Sequence, residues 1–397
     1  MVGSMNGTIY MPVGEVCSSI SDTYREKKNM VTLINTSDVL EGRVLNHERV
    51  PNSNLKGQFK KTFQRDDILY SEIRPQNRRF AYVDFSPIDY IASTKLMVIR
   101  AKKDVVSPKY LYYFLKNSST VAELQLLAET RSGTFPQITF SEVANLTIPV
   151  PSLAVQEVIV QTMQCLEDKI TCNEQINDNL EQQAQSYFQE LFVDNADPEW
   201  AIGTISDLGT VVGGSTPSKA KPEYYTESGI AWITPKDLSI NKSKFVSHGE
   251  NDITELGLKN SSAAIMPEGT VLFSSRAPIG YIAIAAGEVT TNQGFKSVVP
   301  KPEIGTPFVY FFLKNTLPVI EGMASGSTFK EVSGSTMKNV PAVIPDAETL
   351  AKFSDFCAPI FAQQRILEEQ NQSLATLRDN LLPKLMSGEI DVSAVQL

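Results

Sequence analysis

The chain has 397 residues, 42% hydrophobic and 20% charged, with a formal net charge of −9. That length suggests two or three globular domains, and the composition is ordinary for a soluble protein. No apolar run approaches the roughly 20 residues needed to cross a bilayer. No basic-then-apolar leader opens the chain, so a cytoplasmic protein is expected. Cys17, Cys165, Cys172 and Cys357 form no C-x-x-C pair, and His47 and His248 lack neighbouring ligands. Reduced thiols and no metal site follow.

The acid is concentrated in one place. Residues 1–152 hold 19 Lys+Arg against 15 Asp+Glu, whereas residues 153–200 hold 1 against 10. Residues 201–347 hold 12 against 13, and residues 348–397 hold 4 against 7. An acidic segment repels a phosphate backbone and attracts basic partner proteins. The neutral-to-basic parts on either side remain free to approach DNA.

In chain order, residues 1–152 read as a strand-rich domain. Asp67–Tyr70 and Leu96–Arg100 predict strands, and a helix is expected over about Pro108–Asn117. Pro149 and Pro151 then set the exit into residues 153–193, where residues 154–193 hold neither Gly nor Pro. Ile159, Met163, Leu166, Ile170, Leu180, Ala184, Tyr187 and Leu191 recur there in steps of three and four, with Asn173 and Asn177 between them. This is the period of a helix burying one seam. At 1.5 Å per residue it would reach roughly 60 Å, longer than a small domain is wide.

Residues 194–347 predict a second strand-rich domain. Its strands fall at Thr270–Phe273, Tyr281–Ala285 and Ser297–Val299, and its helix at about Pro307–Asn315. Residues 348–397 then close the chain with a second long helix. Ile360, Leu367, Leu374 and Leu381 lie seven apart, Leu377 and Leu385 widen the stripe, and Gln370 and Asn371 interrupt it. Pro383 disturbs the last turn and Gly388 is the expected stop. The fold class is therefore α+β, with the two helices paired as an antiparallel coiled coil. The expected seam is Leu166, Ile170, Asn173, Asn177 and Leu180 against Leu367, Leu374, Leu377 and Leu381. Buried Asn and Gln in such a seam cost stability and fix register.

The two halves repeat. YLYYFLKN at 110–117 matches FVYFFLKN at 308–315, and LINTSDV at 33–39 matches WITPKDL at 232–238. DDILYSEIRP at 66–75 resembles EGTVLFSSRAP at 268–278, and RSGTF at 131–135 resembles SGSTF at 325–329. IPVPS at 148–152 answers VIPDA at 343–347, and SYFQELF at 186–192 answers NLLPKLM at 380–386. Matches in one order with offsets near 200 indicate a duplicated domain-plus-helix unit.

Motifs for catalysis are missing. GGSTPSK at 213–219 has the wrong spacing for a phosphate loop, and no G-x-S-x-G, H-E-x-x-H, dinucleotide fingerprint or N-P-P-Y-type motif occurs. The chain alone is not expected to be an enzyme or to hold a cofactor. Its polar clusters suit DNA instead. The first domain offers Lys56, Lys60, Lys61, Arg65, Arg74, Gln76, Asn77, Arg78, Arg79, Arg131 and Ser132. The second offers Lys219, Lys221, Lys236, Lys242, Lys244, Arg276, Asn292, Gln293, Ser325, Ser327 and Lys330. Arg, Gln and Asn make bidentate bonds to base edges, while Lys and loop hydroxyls bind phosphates.

The order of domain, long helix, domain, long helix resembles the specificity subunit of type I restriction-modification enzymes. The residues carrying the resemblance are SYFQELFVDNADPEW at 186–200, GTISDLGTVVGGSTPSK at 203–219, TNQGF at 291–295 and NLLPKLMSGEIDV at 380–392. STKL at 93–96 stands in the first domain where the second has NQGF. The resemblance implies two target recognition domains, each reading half of a split DNA site, with the helices as a ruler. It implies methyltransferase subunits docked on the helices and nuclease/translocase subunits beside them. S-adenosylmethionine, ATP and Mg would then belong to those partners. The alternatives are a scaffold joining two protein-binding domains, and a subunit serving one fused nuclease–methyltransferase partner.

Overall fold

The structure is a computed structural model describing residues 8–53, 57–130, 136–326 and 330–392. The chain forms two compact units, Met1–Ile170 with Ser373–Leu397, and Thr171–Gln372. Each unit therefore contains a strand-rich part and a length of both long helices.

In the first unit, Leu96–Ala101 is the central strand of a four-stranded sheet. It pairs antiparallel with Cys17–Ile20 on one side and Ile68–Ser71 on the other, and Phe80–Tyr82 completes the order. Both faces of this strand are covered, so its apolar run is continuous rather than alternating. Leu96 and Val98 join one core with Ile34, Leu69 and Ala92. Met97 and Ile99 join another with Tyr70, Tyr110, Leu111 and Tyr113. The first core lies toward a second sheet, Val50–Pro51, Met30–Ile34, Tyr90–Ser93 and Phe59–Lys61, whose middle pair is parallel. The second core lies toward helices Pro108–Lys116 and Ser118–Thr130. The latter helix is an addition to the sequence reading, which stopped at Asn117.

The second unit repeats the plan. Val271–Ser275 lies inside a five-stranded sheet ordered Gly209–Gly213, Lys296–Pro300, Val271–Ser275, Ile279–Ala285, Phe245–Val246. Val271 and Phe273 point into one core and Leu272 into the other. A four-stranded sheet built around Ile230–Ile233 lies on that second side. The helix expected to end at Asn315 continues as Thr306–Met323, through Pro318.

The duplication holds at the level of single hydrogen bonds. Glu72 N donates to Lys95 O at 3.0 Å, and Ser275 N donates to Gly294 O at 2.7 Å. Ile138 N donates to Glu72 O and Val332 N to Ser275 O, both at 2.9 Å. Arg74 and Ala277, each preceding a proline, share positive φ values of 45° and 50°.

The long helices span Leu153–Gln189 and Ala347–Ser387, and Gly388 ends the second with φ 79°. In the first unit, Ile159, Val160 and Met163 share a core with Leu382, Leu385 and Met386. In the second unit, Ala184 and Phe188 share a core with Phe353, Cys357, Ile360 and Phe361. The start of one helix thus meets the end of the other, which is antiparallel pairing. Leu166, Leu180 and Leu381 are partly buried against these cores, Leu367 is buried, and Ile170 and Leu374 are half-buried. Asn173 is fully buried and Asn177 half-buried. Leu377 is a correction, at 46% exposed. From Leu367 the inward stripe steps through Asn371, Leu374, Arg378, Leu381 and Leu385, so position 377 falls one residue outside it. Among the described residues no helix is long and apolar enough to cross a membrane.

Candidate nucleic-acid interface

In the second unit, two loops that stood apart in sequence are joined. Gly214 lies so close to the TNQG turn that a Cβ there would meet Asn292 O at 1.9 Å and Thr291 O at 2.5 Å. Ser215 N donates to Thr291 O at 2.8 Å, and Thr216 Oγ1 bonds the Gln293 side chain. Trp232 Nε1 donates to Ser215 O at 3.0 Å and Tyr225 OH to Pro217 O at 2.6 Å, fixing the loop from below. The absence of a side chain at Gly214 is thus a packing requirement, which explains the loop without any phosphate-loop chemistry.

The contact chain continues from Gln293. Lys296 Nζ reaches Gln293 O at 3.4 Å and lies 3.9 Å from Glu331 Oε1. Glu331 Oε2 lies 3.6 Å from Arg276 Nη1, and the two residues form an isolated antiparallel bridge. Burial lowers the Lys296 pKa, with Glu331 opposing that shift. Ser325 joins through paired backbone bonds with Glu331, at 3.1 and 2.9 Å. Of the expected residues, Arg276, Gln293 and Ser325 therefore meet in one patch, and Lys330 is exposed next to Glu331. Asn292 is there too, but its Oδ1 accepts from Gly294 N at 2.8 Å and shapes the turn. Thr216, Lys296 and Glu331 were not expected.

The lysines expected nearby divide. Lys219 is exposed on the loop, and Lys221 donates to Tyr224 OH at 3.0 Å. Lys236 pairs with Glu250 at 2.6 Å, and Lys242 lies 4.7 Å over the Tyr281 ring. Lys244 is a correction. Only 7% exposed, it donates to Gln364 Oε1 at 2.6 Å, pairs with Glu181 and sits 4.0 Å over the Phe361 ring. A cation walled in by three helices and three aromatic rings is unavailable to a phosphate. Burial lowers its pKa, against the pull of Glu181.

The first unit carries a comparable patch. Lys95 Nζ lies 3.4 Å from Glu72 Oε2 and 3.3 Å from Gln137 Oε1. Ile73 bridges Gln137 as Arg276 bridges Glu331. Arg74, Gln76 and Asn77 are exposed on the adjoining turn. Arg78 donates to Ser118 Oγ at 2.7 Å and Arg79 to Ser37 O at 3.0 Å, so both also hold the turn in place. Lys60 and Arg65 are exposed, whereas Lys61 donates to Thr94 O at 3.1 Å and Leu96 O at 2.8 Å. Its pKa is lowered by burial. Lys56, Arg131, Ser132 and Ser327 lie outside the described residues. Glu72, Lys95 and Gln137 escaped the sequence reading, although the DDILYSEIRP repeat match already aligned Glu72 with Ser275.

The acids of the first long helix are not uniformly outward. Glu167 pairs with Lys116 and accepts from Tyr113 OH at 2.8 Å. Glu181 pairs with Lys244 and with Lys314 at 2.5 Å. Burial works against the charge of Glu181, but the two lysines outweigh it and hold its carboxyl below the usual range. Each unit thus ties its domain helix to a long helix through a lysine, at the repeat-equivalent positions 116 and 314.

Comparison with known proteins places these features in a family. The model described as Type I restriction modification DNA specificity domain matches twice, over residues 10–182 and 198–377. The chain is 29% identical to the type I restriction enzyme HindI specificity subunit of Haemophilus influenzae, over 91% of this chain and 94% of that protein. It is 39% identical to the MjaIX specificity subunit of Methanocaldococcus jannaschii, over 47% of this chain and 45% of that one. The crystal structure of the type I restriction-modification system S subunit from M. genitalium has a similar fold, with a TM-score of 0.54 at 17% identity, covering 97% of this chain and 98% of that one. With both of its strand-rich parts matched and each followed by a long helix, the chain belongs to the type I restriction-modification DNA specificity family, as a non-catalytic, DNA-binding specificity subunit.

Proposed function

We propose that this subunit reads a bipartite DNA target, one half-site per strand-rich domain, and brings methyltransferase subunits to it. Residues 1–152 form one target recognition domain and residues 194–347 the other. Residues 153–193 and 348–397 form the helical spacer on which methyltransferase subunits dock. Those partners carry S-adenosylmethionine, and nuclease/translocase subunits carry ATP and Mg.

The observation that supports this reading is the repetition of one polar patch at equivalent places in both units. Arg276 with Gln293, and Lys95 with Gln137, are side-chain types that bond base edges. Lys60, Arg65, Arg74, Lys219 and Lys330 supply phosphate contacts, which position the protein without reading sequence. Two similar but non-identical patches suit two different short sequences better than one continuous sequence.

The test is selection from a randomised duplex library, using the full chain with its methyltransferase subunits. Two short sequences at a fixed spacing are expected, with affinity falling steeply as salt rises. A single continuous motif, or salt-insensitive binding without sequence preference, would refute the reading.

A further inference from the structure

Each patch contains a carboxylate, which is unexpected on a surface that meets phosphates. In the second unit it is Glu331, between Arg276 and Lys296. In the first it is Glu72, beside Lys95. The two acids do not occupy equivalent positions. The hydrogen-bond match aligns Glu72 with Ser275 and Gln137 with Glu331. Each unit keeps one acid in the patch, but on opposite sides of the bridge that joins its two segments.

Stability does not account for this. The side chains of Glu331 and Arg276 are 40% and 37% exposed, and Lys95 is 50% exposed although its partner Glu72 is 20% exposed. Ion pairs this open to water contribute little to folding. Phosphate binding does not account for it either, because the acid cancels charge that a phosphate would use. What a carboxylate beside a guanidinium or ammonium offers is a paired acceptor and donor at a separation of 3.4–3.6 Å.

Resting on the bipartite reading above, we infer that Glu331 and Glu72 are specificity-determining residues, each reading a G·C pair in the major groove together with its neighbouring cation. A G·C pair presents guanine N7 and O6 as adjacent acceptors and cytosine N4 as a donor beyond them. Arg276 or Lys95 takes the two acceptors, and the carboxylate takes the amino group. An A·T pair breaks that order, since its adenine N6 donor separates two acceptors. A wrong pair therefore leaves the carboxylate facing an acceptor, and the ion pair stays closed on itself. Until the right pair opens it, the acid also withholds the cation from phosphates, which suppresses non-specific binding.

The test measures binding of the full chain, and of the Glu331→Gln and Glu72→Gln variants, to the selected duplex and to duplexes with each G·C pair changed to A·T. The wild-type chain should discriminate in both half-sites. Each variant should lose roughly fivefold or more of that discrimination at one G·C pair in one half-site only, the two variants affecting different halves. Each should also bind unrelated duplex more tightly than the wild type. Full discrimination retained by both variants, or equal loss in both halves from either, overturns the inference while leaving bipartite reading intact. A wild-type chain without half-site preference overturns both.

Discussion

Asn173 of the first long helix donates from Nδ2 to Asn371 Oδ1 of the second at 2.8 Å, with Asn173 fully buried in the seam. Among the described residues, the Oδ1 atoms of Asn173 and Asn177 are buried without a hydrogen-bond partner. A seam that tolerates unsatisfied amides gives up stability at this layer, and register is what such a polar layer secures. Asn173→Ala should destabilise the protein by about 1–3 kcal/mol. The Asn173→Leu, Asn371→Leu pair should melt at the same temperature or higher, because it removes both polar partners together. Thermal unfolding of the two proteins checks this, and a double variant less stable than Asn173→Ala would contradict it.

The Lys244–Glu181 pair should behave as a structural anchor. Lys244→Ala removes one of the two cations facing Glu181 and should cost about 3 kcal/mol, as breaking a buried pair does. Its effect on DNA binding should follow only from that loss. The folded-state pKa of Glu181 is depressed, so its contribution is present above the ordinary glutamate value and lost as pH falls through the folded value. Glu181→Gln should therefore be less stable than wild type at neutral pH, with the difference shrinking under acid. Denaturant melts across pH 2–7 (about five units, spanning the carboxylate range) decide it, and a constant difference would count against the assignment.

Lys60 and Lys61 are neighbours with opposite roles. Lys60 is exposed, while Lys61 binds two backbone carbonyls. Lys60→Ala should lower DNA affinity with little change in melting temperature, reducing the salt slope by about 1. Lys61→Ala should lower the melting temperature, and should weaken DNA binding only as far as the domain loosens. The reverse pattern would remove Lys60 from the interface.

Acid on the first long helix also separates by direction. Glu167 and Glu181 are committed to lysines of their own units, whereas Asp168 and Glu174 are exposed. Asp168→Asn with Glu174→Gln should reduce capture of methyltransferase subunits and leave the DNA-binding curve of the free chain in place. Unchanged co-purification would argue against an acidic docking face.

Much of this was legible because periodicity is local. Both long helices, the duplicated Tyr/Phe-rich helices and the central strands each show their pattern within a short window. Leu377 was misjudged because it was added for its apolar side chain, whereas the seam places the polar Asn371 and Arg378 between Leu367, Leu374 and Leu381 and leaves position 377 one residue outside. Lys244 looked like surface because a lysine beside Lys242 in a polar stretch gives no hint of Glu181, Gln364 and Phe361, up to 120 residues away. The Gly214–Asn292 contact and the Arg276–Glu331 bridge are likewise long-range and have no sequence signature. The family features were visible in motifs; the patch that the proposed reading depends on became visible only in the fold.

The most direct measurement is the spacer preferred after one heptad is removed from each long helix. A heptad is about 10 Å of helix, or roughly three base pairs at 3.4 Å per pair. Selection on a randomised library should return the same two half-site sequences with a spacer shorter by about that much. The same half-sites returned with an unaltered spacer would show that the helices do not set the distance, and the account would fail.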